Sequence, residues 1–291
     1  MSKPNFLIVG AAKCGTTSLA KYLDLHPEVF IPEIKEPRFL IADALKKVSK
    51  RDPSYNYIIK NSILNPNEYF NLFAGRTENA IGEGSVHYLY HYEEAIPNIV
   101  KHLGWETKII ILLRNPVDRA ISNWKYQDKD FVDFRSALDL EDQRIRENYN
   151  SFWYYKRLGY YFEQVKAYQD NFTDVKVVLF EDFILKTDEV MREMFAFLEV
   201  SVDYTIDSYL QHNKTSMTVV PKTGFLKALF KNQKGINLFK HLIKLNLVPR
   251  VFWTNKKELV NENDRLFLKE TYHNNIKKTE QLIRQDLSSW I

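Results

Sequence analysis

Short, unbroken apolar runs recur along this chain, each closing on glycine or a polar turn. Phe6 to Val9 is the first, with β-branched members; a run of this kind predicts a strand buried on both faces. Lys108 to Leu113 (KIIILL) predicts a second buried strand, and Val175 to Phe180 a third. Ala80 to Leu89 opens as a short strand and turns into a loop, and His26 to Pro32 is a loop with a short extended segment held between prolines. Helical spacing fills the intervals. Leu19, Tyr22, Leu23 and Leu25 follow a hydroxyl-rich start at Thr16, and Val190, Met194, Phe195 and Leu198 form a second amphipathic face. Pro116 is placed to begin a helix, Pro66 to Phe73 reads as a helix, and residues 128 to 150 read as charged and helical. A last helix runs through Leu282 and Ile283 towards Trp290. Residues 42 to 75 are otherwise polar and aromatic, broken by Pro53, Asn56, Asn65 and Pro66. The expectation is one α/β domain over residues 1–291, a central parallel sheet flanked by helices.

Composition narrows the class. Of 291 residues 45% are apolar and 27% charged, which marks a globular chain with ample core. Nine glycines and ten prolines form no repeat or low-complexity segment. The single cysteine, Cys14, excludes an internal disulfide framework and has no companion as a metal ligand; its place in a loop suits a small residue packed beneath a phosphate better than a nucleophile. No run approaches the ~20 apolar residues that cross a bilayer, and the first residues lack the apolar core of a signal peptide, so the expectation is a soluble protein of the reducing cytoplasm. Net charge is +4, unevenly spread. Residues 208 to 257 hold ten Lys or Arg and no acid, leaving −6 on the remainder. Such a block points to an anionic partner: a phosphorylated cosubstrate, an acidic glycan or an anionic membrane, rather than a nucleic acid.

The candidate chemistry begins where the first strand ends. Gly10-Ala-Ala-Lys13-Cys14-Gly15 is a tight loop with one sizeable side chain, and Thr16, Thr17 and Ser18 open the next helix. Strand, tight loop and helix N-terminus converge unpaired amides and the positive end of the helix dipole on one point, a phosphate site. The three hydroxyls and the ammonium add donors. The alternative is an ordinary strand–loop–helix turn. The loop is nearly a Walker A sequence, but that motif has its lysine after the second glycine, where this chain has Thr16. An ATP- or GTP-dependent kinase would therefore lack its lysine. A second anion motif follows KIIILL: Arg114-Asn115-Pro116-Val117-Asp118-Arg119-Ala120-Ile121-Ser122. Arg114 in the strand-end loop and Ser122 on the following helix could meet one phosphate, a guanidinium fork plus a hydroxyl. Glu36, between Lys35 and Arg38, reads on its own as a solvated charge. Glu83, Ser85 and His87 follow a strand end, where polar residues face the ligand crevice of an open parallel sheet, and could contact an acceptor. His87 is a candidate general base because its ordinary pKa lies near working pH; a loop histidine bonded to a backbone carbonyl is an equal reading.

These segments together resemble the P-loop-like sulfotransferases that use 3′-phosphoadenosine 5′-phosphosulfate (PAPS), in particular the heparan sulfate sulfotransferases and their bacterial relatives. The resemblance covers most of the chain. It implies that Lys13 and the segment Cys14, Gly15, Thr16, Thr17 and Ser18 hold the 5′-phosphosulfate, and that Arg114 and Ser122 hold the 3′-phosphate. Arg119 is the inner arginine that anchors structure. It implies that Glu36, 23 positions beyond Lys13, is the general base, with His87 the second choice. The segment from Gly82 to Leu89 resembles a Gly-Glu-x-Ser-Pro-x-Tyr-Leu stretch, with Val86 in place of proline, and Glu181-Asp182-Phe183 resembles the Glu-Asp-Leu that ends a later strand. The aromatic stretch Phe152 to Gln164 resembles another family segment and reads mostly as core. Lys214 and Lys222 match an Asn-containing loop that closes over the nucleotide, although the Lys-Gly-Arg form of the heparan enzymes is absent.

The implied reaction is sulfuryl transfer from PAPS, without a metal, to an acceptor hydroxyl or amine, a carbohydrate first and a lipid, phenol or other alcohol as the alternative. The segment 225 to 248, with apolar residues and lysines at helix-like spacing, reads as a helix covering the sheet; it also suits peripheral contact with the inner membrane face. The rival from another class is a non-catalytic glycan- or membrane-binding protein using residues 208–257. It leaves both phosphate motifs unexplained.

Overall fold

The computed structural model describes residues 2–127, 130, 132–206, 219–221, 238, 241–243, 245, 247–249, 253–255 and 260–291. In chain order these form β1 (Phe6–Gly10), α1 (Thr16–Asp24), β2 (Val29–Phe30), α2 (Ala42–Lys46), α3 (Tyr55–Lys60), α4 (Pro66–Asn71), β3 (Ala80–Gly84), α5 (Tyr92–His102), β4 (Lys108–Leu113) and α6 (Pro116–Tyr126). There follow α7 (Phe134–Asp139), α8 (Glu141–Arg146), α9 (Tyr161–Asn171), β5 (Val175–Leu179), α10 (Phe180–Leu185), α11 (Thr187–Phe197), β6 (Val219–Pro221), β7 (Trp253–Asn255) and a C-terminal helix (Glu262–Ile283).

The apolar runs become the centre of a five-stranded sheet in the order β2-β3-β1-β4-β5. Every pairing in it is parallel, with Phe6 opposite both Gly82 and Lys108, and Ile109 opposite Val175. Phe6 to Val9 and Ile109 to Leu113 are fully buried, as strands covered by helices on both faces must be. Gly82 makes the β1–β3 pairing possible: a Cβ there would sit 2.4 Å from the Phe6 ring. The chain leaves β1 for β2 and β3 on one side, then returns to β4 on the other. Such a reversal opens a crevice at the carboxyl ends of the strands. The loops after β1, β3 and β4 all emerge there. β6 and β7 pair antiparallel as a separate two-stranded ribbon. Among the described residues no helix is long and apolar enough to cross a membrane.

Several boundaries differ from the sequence expectation, for local reasons. The charged stretch 128–150 contains two short helices meeting at Leu140. Asp133 caps the first through Ser136 N at 2.9 Å, and Glu141 turns inward at the start of the second, accepting from the amides of Lys156 (2.6 Å) and Arg157 (3.1 Å). The C-terminal helix stops at Ile283 because Arg284 adopts a left-handed conformation, φ +54°, and Trp290 then buries itself in a single 3₁₀ turn. Leu25 lies past the end of α1 and is 45% exposed instead of joining its apolar face. Strand β5 ends at Leu179, so Phe180 begins α10. The aromatic stretch packs as core: Trp153, Tyr154, Tyr155 and Tyr161 are buried, with Trp153 Nε1 donating to Asp52 at 2.8 Å.

Candidate active site

The loop after β1 is shaped by two residues with positive φ, Lys13 (+71°) and Gly15 (+87°). Gly15 occupies the N-cap of α1, where a Cβ would meet the Phe180 ring at 2.8 Å. A cap without a side chain leaves the amides of Thr16 and Thr17 to an outside acceptor, while the Ser18 amide donates to the Gly15 carbonyl at 2.9 Å. Ala11 N bonds Leu112 O at 2.7 Å, tying the loop to β4. Thr16 is buried, while Thr17 and Ser18 are half-buried on the first turn.

Lys13 is half-buried, and its ammonium lies 3.9 Å from the centre of the Tyr126 ring. Burial pushes its pKa down to about 8, with the Lys35 and Arg114 charges adding to the effect and Glu36 and Cys14 opposing it. These groups therefore share one electrostatic neighbourhood. Cys14 is fully buried, with Sγ 4.0 Å from the Tyr161 hydroxyl. Burial pushes its thiol up to about 12, which leaves negligible thiolate at neutral pH. The folded protein should thus resist iodoacetamide at pH 7.5, and mass spectrometry should find Cys14 unmodified until denaturant is added. Rapid alkylation of the native protein would contradict this environment.

Arg114 leaves the end of β4, the strand beside β1. Its Nη1 donates to the Lys13 carbonyl at 3.4 Å, and its guanidinium carbon lies 4.7 Å from the Phe180 ring centre. The Arg114 carbonyl accepts from the Tyr161 hydroxyl at 3.0 Å. Asn115 caps α6 by accepting from Val117 N at 3.0 Å, while its own amide donates to Glu181 Oε1 at 3.1 Å. Pro116 occupies the first helical turn, where no amide is needed. Ser122 is half-buried on α6. Arg119 points inward, fully buried, and donates to the Tyr155 carbonyl.

Glu36 and Arg38 both have φ +55°. Arg38 Nη2 donates to Glu36 Oε2, and Lys35 Nζ is 4.0 Å from Oε1. The Arg38 amide donates to Ser85 Oγ at 3.0 Å, and Ser85 donates onward to Glu83 Oε2 at 2.8 Å. Glu83 also accepts from the hydroxyls of Tyr88 (2.7 Å) and Tyr69 (3.4 Å). At 0% exposure its pKa is raised to about 7, chiefly by burial. Glu83 and Ser85 therefore do not line the open crevice, as their strand-end position suggested; tyrosine hydroxyls draw the carboxyl into the core. His87 is 2% exposed. Its Nδ1 lies 2.9 Å from Ser151 Oγ and its ring meets Phe152 edge-on at 4.1 Å. Burial and the Arg38 charge hold it well below the ordinary histidine range. Its partner is a hydroxyl, not a backbone carbonyl. Lys214 and Lys222 lie outside the described residues.

The structure therefore gathers Lys13, Arg114 and Glu36 at one end of the sheet. It adds residues that the sequence reading left without a site role: Phe180 against Gly15 and Arg114, Arg38 against Glu36, and Tyr126 over Lys13. For Tyr126 a signal existed, since it stands four residues after Ser122 on one helix.

Comparison with known proteins identifies the family of this fold. The family model described as Sulfotransferase domain matches residues 3–224. The crystal structure of a sulfotransferase from Alicyclobacillus acidocaldarius superposes with a TM-score of 0.76 at 32% identity, covering 100% of this chain and 99% of that one. Carbohydrate sulfotransferase 15 of Mus musculus is 29% identical over 172 residues, 50% of this chain and 30% of its own length. Bifunctional heparan sulfate N-deacetylase/N-sulfotransferase 3 of Mus musculus is 24% identical over 216 residues, 71% of this chain and 23% of its own. The aligned stretches thus span less than a third of either curated relative. With its parallel sheet, its strand-end loops and a family match over most of its length, the chain belongs to the sulfotransferase domain family.

Proposed function

We propose that this protein transfers a sulfuryl group from PAPS to a hydroxyl or amine of an acceptor, a saccharide first. One observation carries the reading: the two candidate anion-binding segments, the loop 10–18 and Arg114 with α6, emerge from adjacent strands and touch through the Arg114–Lys13 bond. The donor set fits a bisphosphorylated nucleotide. Lys13 and the uncapped first turn of α1 suit the 5′ end, Arg114 and Ser122 suit a 3′-phosphate, and the missing Cβ of Gly15 lets the loop pack against Phe180, the ring that also lies under Arg114.

When bound, PAPS supplies the sulfuryl group and a phosphate leaving group. Glu36 takes the acceptor proton as the new bond to sulfur forms. Lys13 donates to the bridging oxygen, which receives the electron pair as the old S–O bond breaks. The amides of Gly15 to Thr17, with the Thr17 and Ser18 hydroxyls, are placed to meet the charge that builds on the sulfuryl oxygens. Fixed donors of this kind each contribute a few kcal/mol, about 3–4, at the transition state. Arg38 holds the Glu36 carboxylate in one orientation. His87, packed like Arg38 on Phe152, supports that framework from within.

Glu36→Gln should leave the affinity for 3′-phosphoadenosine 5′-phosphate (PAP) within about twofold and lower turnover by about 10²–10⁴-fold, the contribution of a positioned base. If His87→Ala alone stops turnover in a folded protein that still binds PAP, while Glu36→Gln stays active, the base is His87. The names of the curated relatives, carbohydrate and heparan sulfate enzymes, favour a saccharide over phenols and lipid alcohols. Radiolabelled PAPS incubated with a panel of all three classes should label the saccharides. Label confined to a phenol or lipid would reassign the acceptor, and PAP binding without transfer to any class would contradict the activity.

A further inference from the structure

We propose that Tyr126 is a positioning residue for Lys13, its ring holding the ammonium in register with the loop before the donor arrives. The inference rests on the reading of Lys13 as a donor ligand. Tyr126 ends α6, one turn beyond Ser122 and on the same helical face. That face thus carries a candidate phosphate hydroxyl and, next to it, an aromatic plane 3.9 Å from Lys13 Nζ. The ring is 58% exposed while Lys13 is half-buried, so the ring covers the ammonium from the outer side.

An aromatic plane suits this place for an electrostatic reason. Among the described residues, the charged groups that act on Lys13 are Lys35 and Arg114, both cations, and Glu36. An additional carboxylate would hold the ammonium firmly but would repel an incoming phosphosulfate. The negative face of a neutral ring attracts the cation without carrying net charge. An ammonium has three N–H groups, so one side can rest on the ring while the others remain available to the anion. Orientation is thereby set before binding, where it costs no reorganisation during the reaction.

The test uses the donor-free protein and does not depend on turnover. Acetic anhydride labelling of Lys13, read by mass spectrometry across pH 6 to 11, reports the midpoint at which the amine becomes reactive. Tyr126→Phe keeps both cover and π-face and should titrate with the native protein. Tyr126→Leu keeps apolar cover and loses the π-face, so the charged form loses support and the midpoint should fall by about half a pH unit. Tyr126→Trp provides a second aromatic replacement and should follow Phe. Equal midpoints for Leu and the aromatic variants, or a rise with Leu, would overturn the proposal. Adding PAP separates the two readings: failure of PAP to protect Lys13 in the native protein would count against the donor site, while the Phe–Leu difference would still stand.

Discussion

Lys13→Ala should lower the turnover number for sulfuryl transfer by about 10²–10³-fold, the loss expected when one fixed donor to developing charge is removed. Lys13 is the one lysine between Gly10 and Ser18: Cys14 is buried, Gly15 has no side chain, and the following residues are hydroxyls. Lys35 lies close enough to affect the Lys13 charge, yet its nearest acid is Glu36. The fold should survive, because Lys13 is only half-buried and the strands on either side are held by their own ladders.

The same residue predicts a pH dependence with a definite sign. The useful form of Lys13 is the protonated one, and its pKa is lowered from 10.5 to about 8. In the free protein, kcat/KM should therefore fall above pH 8, about tenfold per pH unit at the limit. A bound anion favours the ammonium, so kcat should hold to higher pH than kcat/KM. Unchanged turnover in Lys13→Ala, or a kcat/KM flat from pH 7 to 10, would refute the assignment.

The second large effect is on affinity. Arg114→Ala should raise the dissociation constant for PAP by about 10–100-fold, the worth of losing charge-assisted hydrogen bonds of about 1.5–3 kcal/mol. Adenosine 5′-phosphate, which lacks the 3′-phosphate, should lose less than about threefold. The contrast matters because Arg114 also braces the loop through the Lys13 carbonyl and lies over Phe180. If it served only as a brace, both nucleotides would weaken alike. Arg114→Lys restores charge but not the fork and should fall between the native protein and alanine. Calorimetric titration of the three proteins with both nucleotides decides the matter; equal losses would reject a 3′-phosphate contact.

The parts of this molecule legible in the sequence are those encoded by contiguous pattern. KIIILL can hardly be anything but a buried strand, and Gly10 to Ser18 dictates a turn into a helix start. The parts that were not legible depend on partners distant in the chain. Glu83 and Ser85 occupy a strand end that normally faces ligand, but Tyr69, which donates to Glu83 from α4, is a core contact with no periodic signature. The break at Leu140 follows from the inward turn of Glu141 onto two amides fifteen residues away or more. Helix α5 carries Pro97 within its span, and a helix containing proline does not read as one continuous element. At the candidate site, motif spacing singled out Lys13 and Arg114 and the family resemblance added Glu36, yet their mutual contacts and the Tyr126 ring over Lys13 emerge only when β1 and β4 lie side by side.

The central claim is that one nucleotide with phosphates at both ends is held between the β1 loop and the β4 loop. The most direct measurement is calorimetric titration of the native protein with PAP and, separately, with ATP in the presence and absence of magnesium. Tight, magnesium-independent binding of PAP and markedly weaker binding of ATP are expected. Preference for ATP that requires magnesium, or failure to bind PAP, would contradict it.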